Sequence, residues 1–211
     1  MQDMLSKIMA RLHKPVYKSR MACLGNAIIP YLSANDKILD VGCGFGEFSA
    51  FISRNEKTPK GVNITGVEKF IRPDTLIEIK EITNGNIPFD DNYFDVVMIL
   101  DVLHHERNWS HLLDECIRVS KKLVIIKDHR VTTKLSYYRI CLLDWLANKP
   151  YGIECLYRYF TVNKWREIFI EKKMEIIKEE LSLKIYPNIY QVIFPGKLQY
   201  FSVLKKSNKV I

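Results

Sequence analysis

Ile38-Leu39-Asp40-Val41-Gly42-Cys43-Gly44-Phe45-Gly46-Glu47-Phe48 decides how this chain folds. An apolar run ends in an acidic residue, and glycines then fall at every second position. Phe48, Phe51 and Ile52 follow at helical spacing. The pattern predicts a buried strand, a tight turn and the start of a helix, the first unit of a doubly wound α/β domain. Gly42, Gly44 and Gly46 let the backbone turn sharply and keep side chains away from a ligand. A dinucleotide fingerprint reads G-x-G-x-x-G, with its third glycine on the helix where a pyrophosphate meets free amides. Here the spacing is G-x-G-x-G, and Glu47 stands at the helix start. A carboxylate there suits the helix dipole but repels a pyrophosphate. Asp40 favours instead a ligand that carries an ammonium or sulfonium group.

The run Leu39 to Gly46 resembles motif I of the class I S-adenosylmethionine-dependent methyltransferases. The resemblance continues through Val67-Glu68, the stretch Ile87 to Val97, and Asp101-Val102-Leu103-His104-His105. A lone glycine turn is a weak signal; these blocks in register over most of the chain are a specific one. The resemblance implies an α/β fold with a Rossmann-like seven-stranded sheet. That sheet would be mostly parallel with a reversed last strand, and helices would cover both faces. It also implies methyl transfer from S-adenosylmethionine, with cofactor contacts at Asp40, Gly42, Cys43, Gly44, Glu68, Leu100 and Asp101. Glu68, at the tip of the second strand, would accept hydrogen bonds from both ribose hydroxyls. In similar proteins an Asp at the end of the third strand binds the adenine amino group. This chain has none. Counting back from Pro88 puts Thr83 at that place, whereas matching the Asp-Gly pair puts Asn84 there. The side-chain oxygen of Asn84 can accept the same bond without a charge.

A length of 211 residues suits one methyltransferase domain over 1–211 with a full core. No apolar run is long enough for a bilayer, and the N-terminus lacks a cleavage pattern, so a cytoplasmic protein is expected. The 5 cysteines are scattered without metal-ligand spacing; reduced thiols and no metal are expected. The net charge of +8 is spread along the chain. It favours a solvated basic surface over a nucleic-acid site, an anionic membrane surface or acidic substrates, and nucleic acid stays the lesser candidate among partners.

Residues 1–31 form an expected N-terminal helical cap, with Met4, Leu5, Ile8, Met9 and Leu12 at helical spacing and a second run from Met21 to Ile29. By resemblance this segment folds over the cofactor, with Tyr17 and Arg20 facing the substrate; the residues themselves favour a helix that only covers the sheet. The fourth strand is expected at Phe94 to Leu100, a helix at Asn108 to Ser120, and the fifth strand at Lys121 to Lys127. Lys80 to Ile82, Glu175 to Leu183 and Leu198 to Leu204 read as further strands, Thr161 to Lys172 as a helix, and Lys205 onward as a frayed tail. Lys69 to Thr75 reads as loop. Residues 131–160 are rich in Tyr and Trp and suit a substrate lid for an apolar or aromatic acceptor. Extra core or a dimer surface explains them as well, whereas Asp144 and Asn148 interrupt any membrane-touching helix.

His104 and His105 leave the carboxyl end of the fourth strand, where open α/β sheets bind ligands, and His129 leaves the fifth. These are the candidate catalytic bases, because histidine titrates near neutral pH. Asp128 and Arg130 emerge at the same edge. A small-molecule acceptor is the expected substrate. A nucleic-acid-modifying methyltransferase and a catalytically silent scaffold are the alternatives, the latter prompted by the missing Asp of the third strand.

Overall fold

The computed structural model describes residues 16–149 and 154–207. Their strands are β1 (Lys37–Val41), β2 (Asn63–Glu68), β3 (Ile79–Glu81), β4 (Phe94–Leu100), β5 (Ser120–His129), β6 (Met174–Glu180) and β7 (Gln199–Lys206). They form one seven-stranded sheet in the order β3-β2-β1-β4-β5-β7-β6. β1 to β5 pair in parallel, and β7 lies antiparallel between β5 and β6. The helices are α1 (residues 16–28), α2 (Glu47–Arg54), α3 (Trp109–Val119), α4 (Lys134–Asn148), α5 (Val162–Glu171) and the short α6 (Asn188–Gln191). This is the Rossmann-like sheet with a reversed last strand that the motifs imply. Strand order reverses between β1 and β4, so ligands are drawn to the crevice beyond their carboxyl ends.

Burial follows from the pattern of each strand. Val96 to Leu100 are all buried, as a central parallel strand covered on both faces requires. Leu39, Val41, Val97 and Ile99 pack with Leu113 and Cys116 of α3 and Trp165 and Phe169 of α5. Their neighbours Ile38, Val96, Met98 and Leu100 pack instead with Leu24 and Ile28 of α1 and Phe48 and Ile52 of α2. The period of two thus builds two cores, one on each face. Each fully buried aliphatic or aromatic side chain contributes ~1.5–3 kcal/mol, so these faces hold the site rigid.

Some boundaries differ from expectation. β7 continues to Lys206 because its neighbours reach that far, Leu123 and Glu175 each pairing with Lys205, so Lys205 and Lys206 belong to the sheet, and the rest of the expected tail, 208–211, lies outside the described residues. α4 starts at Lys134 because Thr133 caps it: its Oγ1 accepts from Ser136 N at 3.1 Å, and Ser136 Oγ accepts from Thr133 N at 2.9 Å. Thr161 caps α5, accepting from Lys164 N at 3.2 Å. The run Met4 to Leu12 and the breakers Pro150 and Gly152 lie outside the described residues.

Candidate functional site

The turn after β1 is tied directly to the tip of β2. Gly44 N donates to Glu68 Oε1 at 2.7 Å, and Lys69 N donates to Glu68 Oε2 at 3.2 Å. A Cβ on Gly42 would strike Val102 at 2.4 Å, so this glycine is required by packing. A Cβ on Gly44 would meet only the Arg72 guanidinium, at 3.6 Å, yet its φ of +61° excludes most side chains. Gly44 therefore turns the chain beside open space. Asp40 is buried and accepts from Ser49 Oγ at 2.6 Å. Burial pushes its pKa up to about 6, although the Ser49 bond and the Arg20 charge pull the other way. Cys43 is half-buried, and burial raises its thiol pKa. The Leu100 side chain packs into the core with α1, which leaves only its main chain at the sheet edge.

A cavity of about 240 Å³ opens between Lys69, Ile82, Asn84, Glu106 and Leu112. Asn84 lines it and Thr83 does not. The reason is local. Asn84 (φ 55°) and Gly85 (φ 80°) both take left-handed conformations, which Asn-Gly favours, and the turn closes a bridge from Thr83 to Asn86.

A second cavity, about 600 Å³, lies beyond β4 and β5. Its apolar lining comes from Leu143 and Leu146 of α4 and from Tyr186, Tyr190 and Phe194 of the connector before β7. Tyr17 and Arg20 of α1 also line it, as do Asp101, His104, His105, His129 and Asp144. The three histidines proposed from sequence are thus brought together. The ring of His104 lies 4.0 Å from that of His105 and 5.1 Å from that of His129, centre to centre.

Their electrostatics differ sharply. His104 Nδ1 hydrogen-bonds to Asp128 Oδ1 at 2.7 Å, with both side chains buried. Burial works against charge on His104, but Asp128 outweighs it and raises the pKa. With Nδ1–H given to the carboxylate, Nε2 is the atom left for a proton in transit. Burial and the neighbouring His104 lower the pKa of His105. His129 is pushed down to about 3 by burial and by Lys127, which makes it a poor base at neutral pH.

Asp101 follows β4 directly, with φ 61°. Its Oδ2 accepts from Arg20 at 2.9 Å and its Oδ1 from the buried Lys127 ammonium. Burial alone would raise its pKa; Lys127 and Arg20 hold it well below the usual carboxylate range. Asp144 is a site residue that the sequence reading passed over as an interruption of an apolar helix. It accepts from Tyr159 Oη at 2.5 Å and from Asn148 Nδ2 at 2.7 Å, and His105 Nε2 lies 3.5 Å away. Asp and Asn four residues apart on one helix share a face, and that spacing was the available signal. Arg130 turns away, donating to Lys197 O at 2.9 Å.

His104, His105 and Asp144 lie close enough to gather round an ion, as do Asp101, His104 and Asp128. In the second set Asp101 is already neutralised by Lys127 and Arg20. In the first, the carboxylate oxygens of Asp144 are held by Tyr159 and Asn148. Among the described residues both groups therefore act as hydrogen-bonded networks.

Residues 39–126 match a family described as "Methyltransferase domain". Demethylmenaquinone methyltransferase of Tropheryma whipplei (strain Twist) is 27% identical over 150 residues, which are 65% of this chain. The chain spans 63% of the length of that relative. Demethylmenaquinone methyltransferase of Thermotoga maritima is 25% identical over 216 residues, covering 93% of this chain and 90% of that one. Among solved structures, the methyltransferase in complex with the Haloferax volcanii Trm112 activator superposes with a TM-score of 0.69. It is 13% identical, with 99% of this chain and 97% of that chain covered, a likeness of fold.

Proposed function

We propose that this chain, whose residues 39–126 match a methyltransferase family, is a class I S-adenosylmethionine-dependent methyltransferase that transfers a methyl group to a small apolar or aromatic acceptor. The observation that carries this reading is the cavity of about 600 Å³ that meets the cofactor edge at Asp101. Its aromatic and aliphatic lining suits a ring system, and its volume lies in the range of small-molecule sites. Two relatives are named for methylation of demethylmenaquinone, an acceptor of the chemistry such a lining would take.

The residues present fit the cofactor. Open space beside Gly44, next to the carboxylate of Glu68, suits a ribose, whose hydroxyls would replace the Gly44 amide as donors to Glu68. The cavity at Asn84 suits an adenine. Asp40, an anion above about pH 6, would supply negative charge for the amino acid end, and Asp101, its charge balanced by Lys127 and Arg20, lies at the same edge. When bound, the cofactor supplies an electrophilic methyl on its sulfonium. This chain would supply alignment and the exclusion of water. Asp128 fixes the tautomer of His104, and the Nε2 of His104 would take the proton of a hydroxyl or ring carbon acceptor. His105 and Asp144 would orient that acceptor. By resemblance, α1 is the cap over the cofactor and residues 131–160 are the lid.

Calorimetry with S-adenosylmethionine, followed by radiolabel transfer to a short-chain demethylmenaquinol, tests the reading. Binding with transfer supports it. An absence of heat at high micromolar cofactor favours the silent scaffold. Transfer to RNA or DNA in place of the quinol favours the nucleic-acid alternative.

A further inference from the structure

We propose that α4 docks this protein onto an anionic lipid bilayer, next to the cavity that takes the acceptor. Leu135, Tyr138, Leu142 and Trp145 are 61%, 67%, 48% and 48% exposed. Their spacing of three and four residues sets them along one face of α4, whose opposite face buries Ser136, Ile140 and Asp144. A continuous apolar stripe on the outside of a folded protein marks an interaction surface. A second feature flanks the same cavity. Val192 and Ile193 are 79% and 51% exposed, and they sit between the lining residues Tyr190 and Phe194. Both the α4 side and the connector side of the cavity therefore carry outward apolar side chains.

Charge decides what covers the stripe. Lys134 and Arg139 lie on α4 and Lys149 just beyond it, and none of the three has an ion pair among the described residues. The one carboxylate of the helix, Asp144, is buried and turned inward. An apolar face edged by cations, with no exposed anion, is the form of helix that lies in a layer of anionic headgroups. Self-association through the same face about a two-fold axis would set these cations against their own copies. The net charge of +8 acts in the same direction. The objection that Asp144 and Asn148 interrupt such a helix is removed, because these two residues serve its inner face. If the methyl-transfer reading holds, on which this consequence rests, the acceptor is a lipid-borne ring compound that enters from the bilayer.

The test is sedimentation with vesicles of phosphatidylglycerol and phosphatidylcholine against vesicles of phosphatidylcholine alone, at low and high salt. The protein is expected to pellet with the anionic vesicles at low salt and to be released by salt. Leu135→Ser with Trp145→Ser should weaken this at least about tenfold, and so should Lys134→Glu with Arg139→Glu. Calorimetry with S-adenosylmethionine reports that each variant is folded. A protein that stays in the supernatant with anionic vesicles overturns the proposal. So does equal pelleting of the wild type and the Leu135/Trp145 variant, or a dimer in ultracentrifugation that this variant abolishes. Vesicle binding without methyl transfer would leave the docking standing and sink the methyl-transfer reading alone.

Discussion

Asp128 Oδ1 lies 2.7 Å from His104 Nδ1, and the two side chains are 2% and 3% exposed. Such a pair orients the imidazole and strengthens it as a base, because the carboxylate favours the protonated ring. Asp128→Asn keeps the shape and removes the charge. Methyl transfer should fall by ~10²–10⁴, the range for a lost general base, while the affinity for S-adenosylmethionine holds in calorimetry. The pH profile carries a second signature. His104 sits above its ordinary 6.5, raised by Asp128, Asp101 and Asp144 against burial, and a base works only when unprotonated. The rate should therefore climb with pH through a midpoint above 6.5, and Asp128→Asn should move that midpoint down. An unmoved midpoint would remove His104 from the proton path.

Glu68 makes a different kind of contribution. Its carboxylate joins the glycine turn to the tip of β2 through Gly44 N at 2.7 Å, at the crevice surface. Hydrogen bonds to a charged group are worth ~1.5–3 kcal/mol, so Glu68→Ala should weaken cofactor binding ~10- to 100-fold. The packed cores lie on the two faces of the sheet, and the midpoint of thermal unfolding should shift little. A large drop in that midpoint with unchanged cofactor affinity would make Glu68 a brace for the turn and no more.

Asp40 gives a prediction with a definite sign. Its folded pKa of about 6 stands above the ordinary 3.8 because burial disfavours the anion. Protonation therefore favours the fold: the contribution is fully present below pH 3.8 and is lost as pH rises through about 6. The shift of about two units amounts to ~3 kcal/mol. Asp40→Asn should thus unfold at higher urea than the wild type at pH 8, and the gap should close by about pH 4. A bound cation should drive the group back to its anion, so cofactor binding near pH 6 should release a proton. Calorimetry in buffers of different ionisation enthalpy measures it.

The fold was legible because it is written in local patterns. The apolar run of β4, the glycine turn and the alternation of inward and outward residues each specify an element without distant information. The meeting of the glycine turn with the tip of β2 was legible for the same reason, since Gly44 follows β1 and Glu68 ends β2. The sequence does not show which of Thr83 and Asn84 lines the cavity, because that depends on the left-handed turn at Asn84-Gly85. The larger cavity was harder to read. Asp144 is 39 positions from His105 in the numbering, yet their polar atoms lie 3.5 Å apart. No periodicity encodes such a meeting; it follows from α4 folding back over the ends of β4 and β5. Lys127 was hidden in another way, as a lysine within an apolar strand that reads as the edge of the run. Only its contact with Asp101 explains why it is buried.

That contact supports the last prediction. Lys127 is 1% exposed, and its ammonium is held by Asp101, which Arg20 also engages at 2.9 Å. Burial lowers the Lys127 pKa, so the charge persists only while Asp101 faces it. Asp101→Leu would strand a buried cation and should cost ~3–5 kcal/mol in urea unfolding at pH 7. Lys127→Met leaves Asp101 its bond to Arg20, which is 23% exposed and free to relax, and should cost ~1–2 kcal/mol. The double variant removes both charges together and should recover at least half of the loss of Asp101→Leu. If the two single costs simply add, Lys127 does not depend on Asp101, and the polar cluster beneath the cavity is not a coupled ion pair. If the double variant recovers stability but loses S-adenosylmethionine binding, the cluster is kept for the ligand, at a cost to the fold.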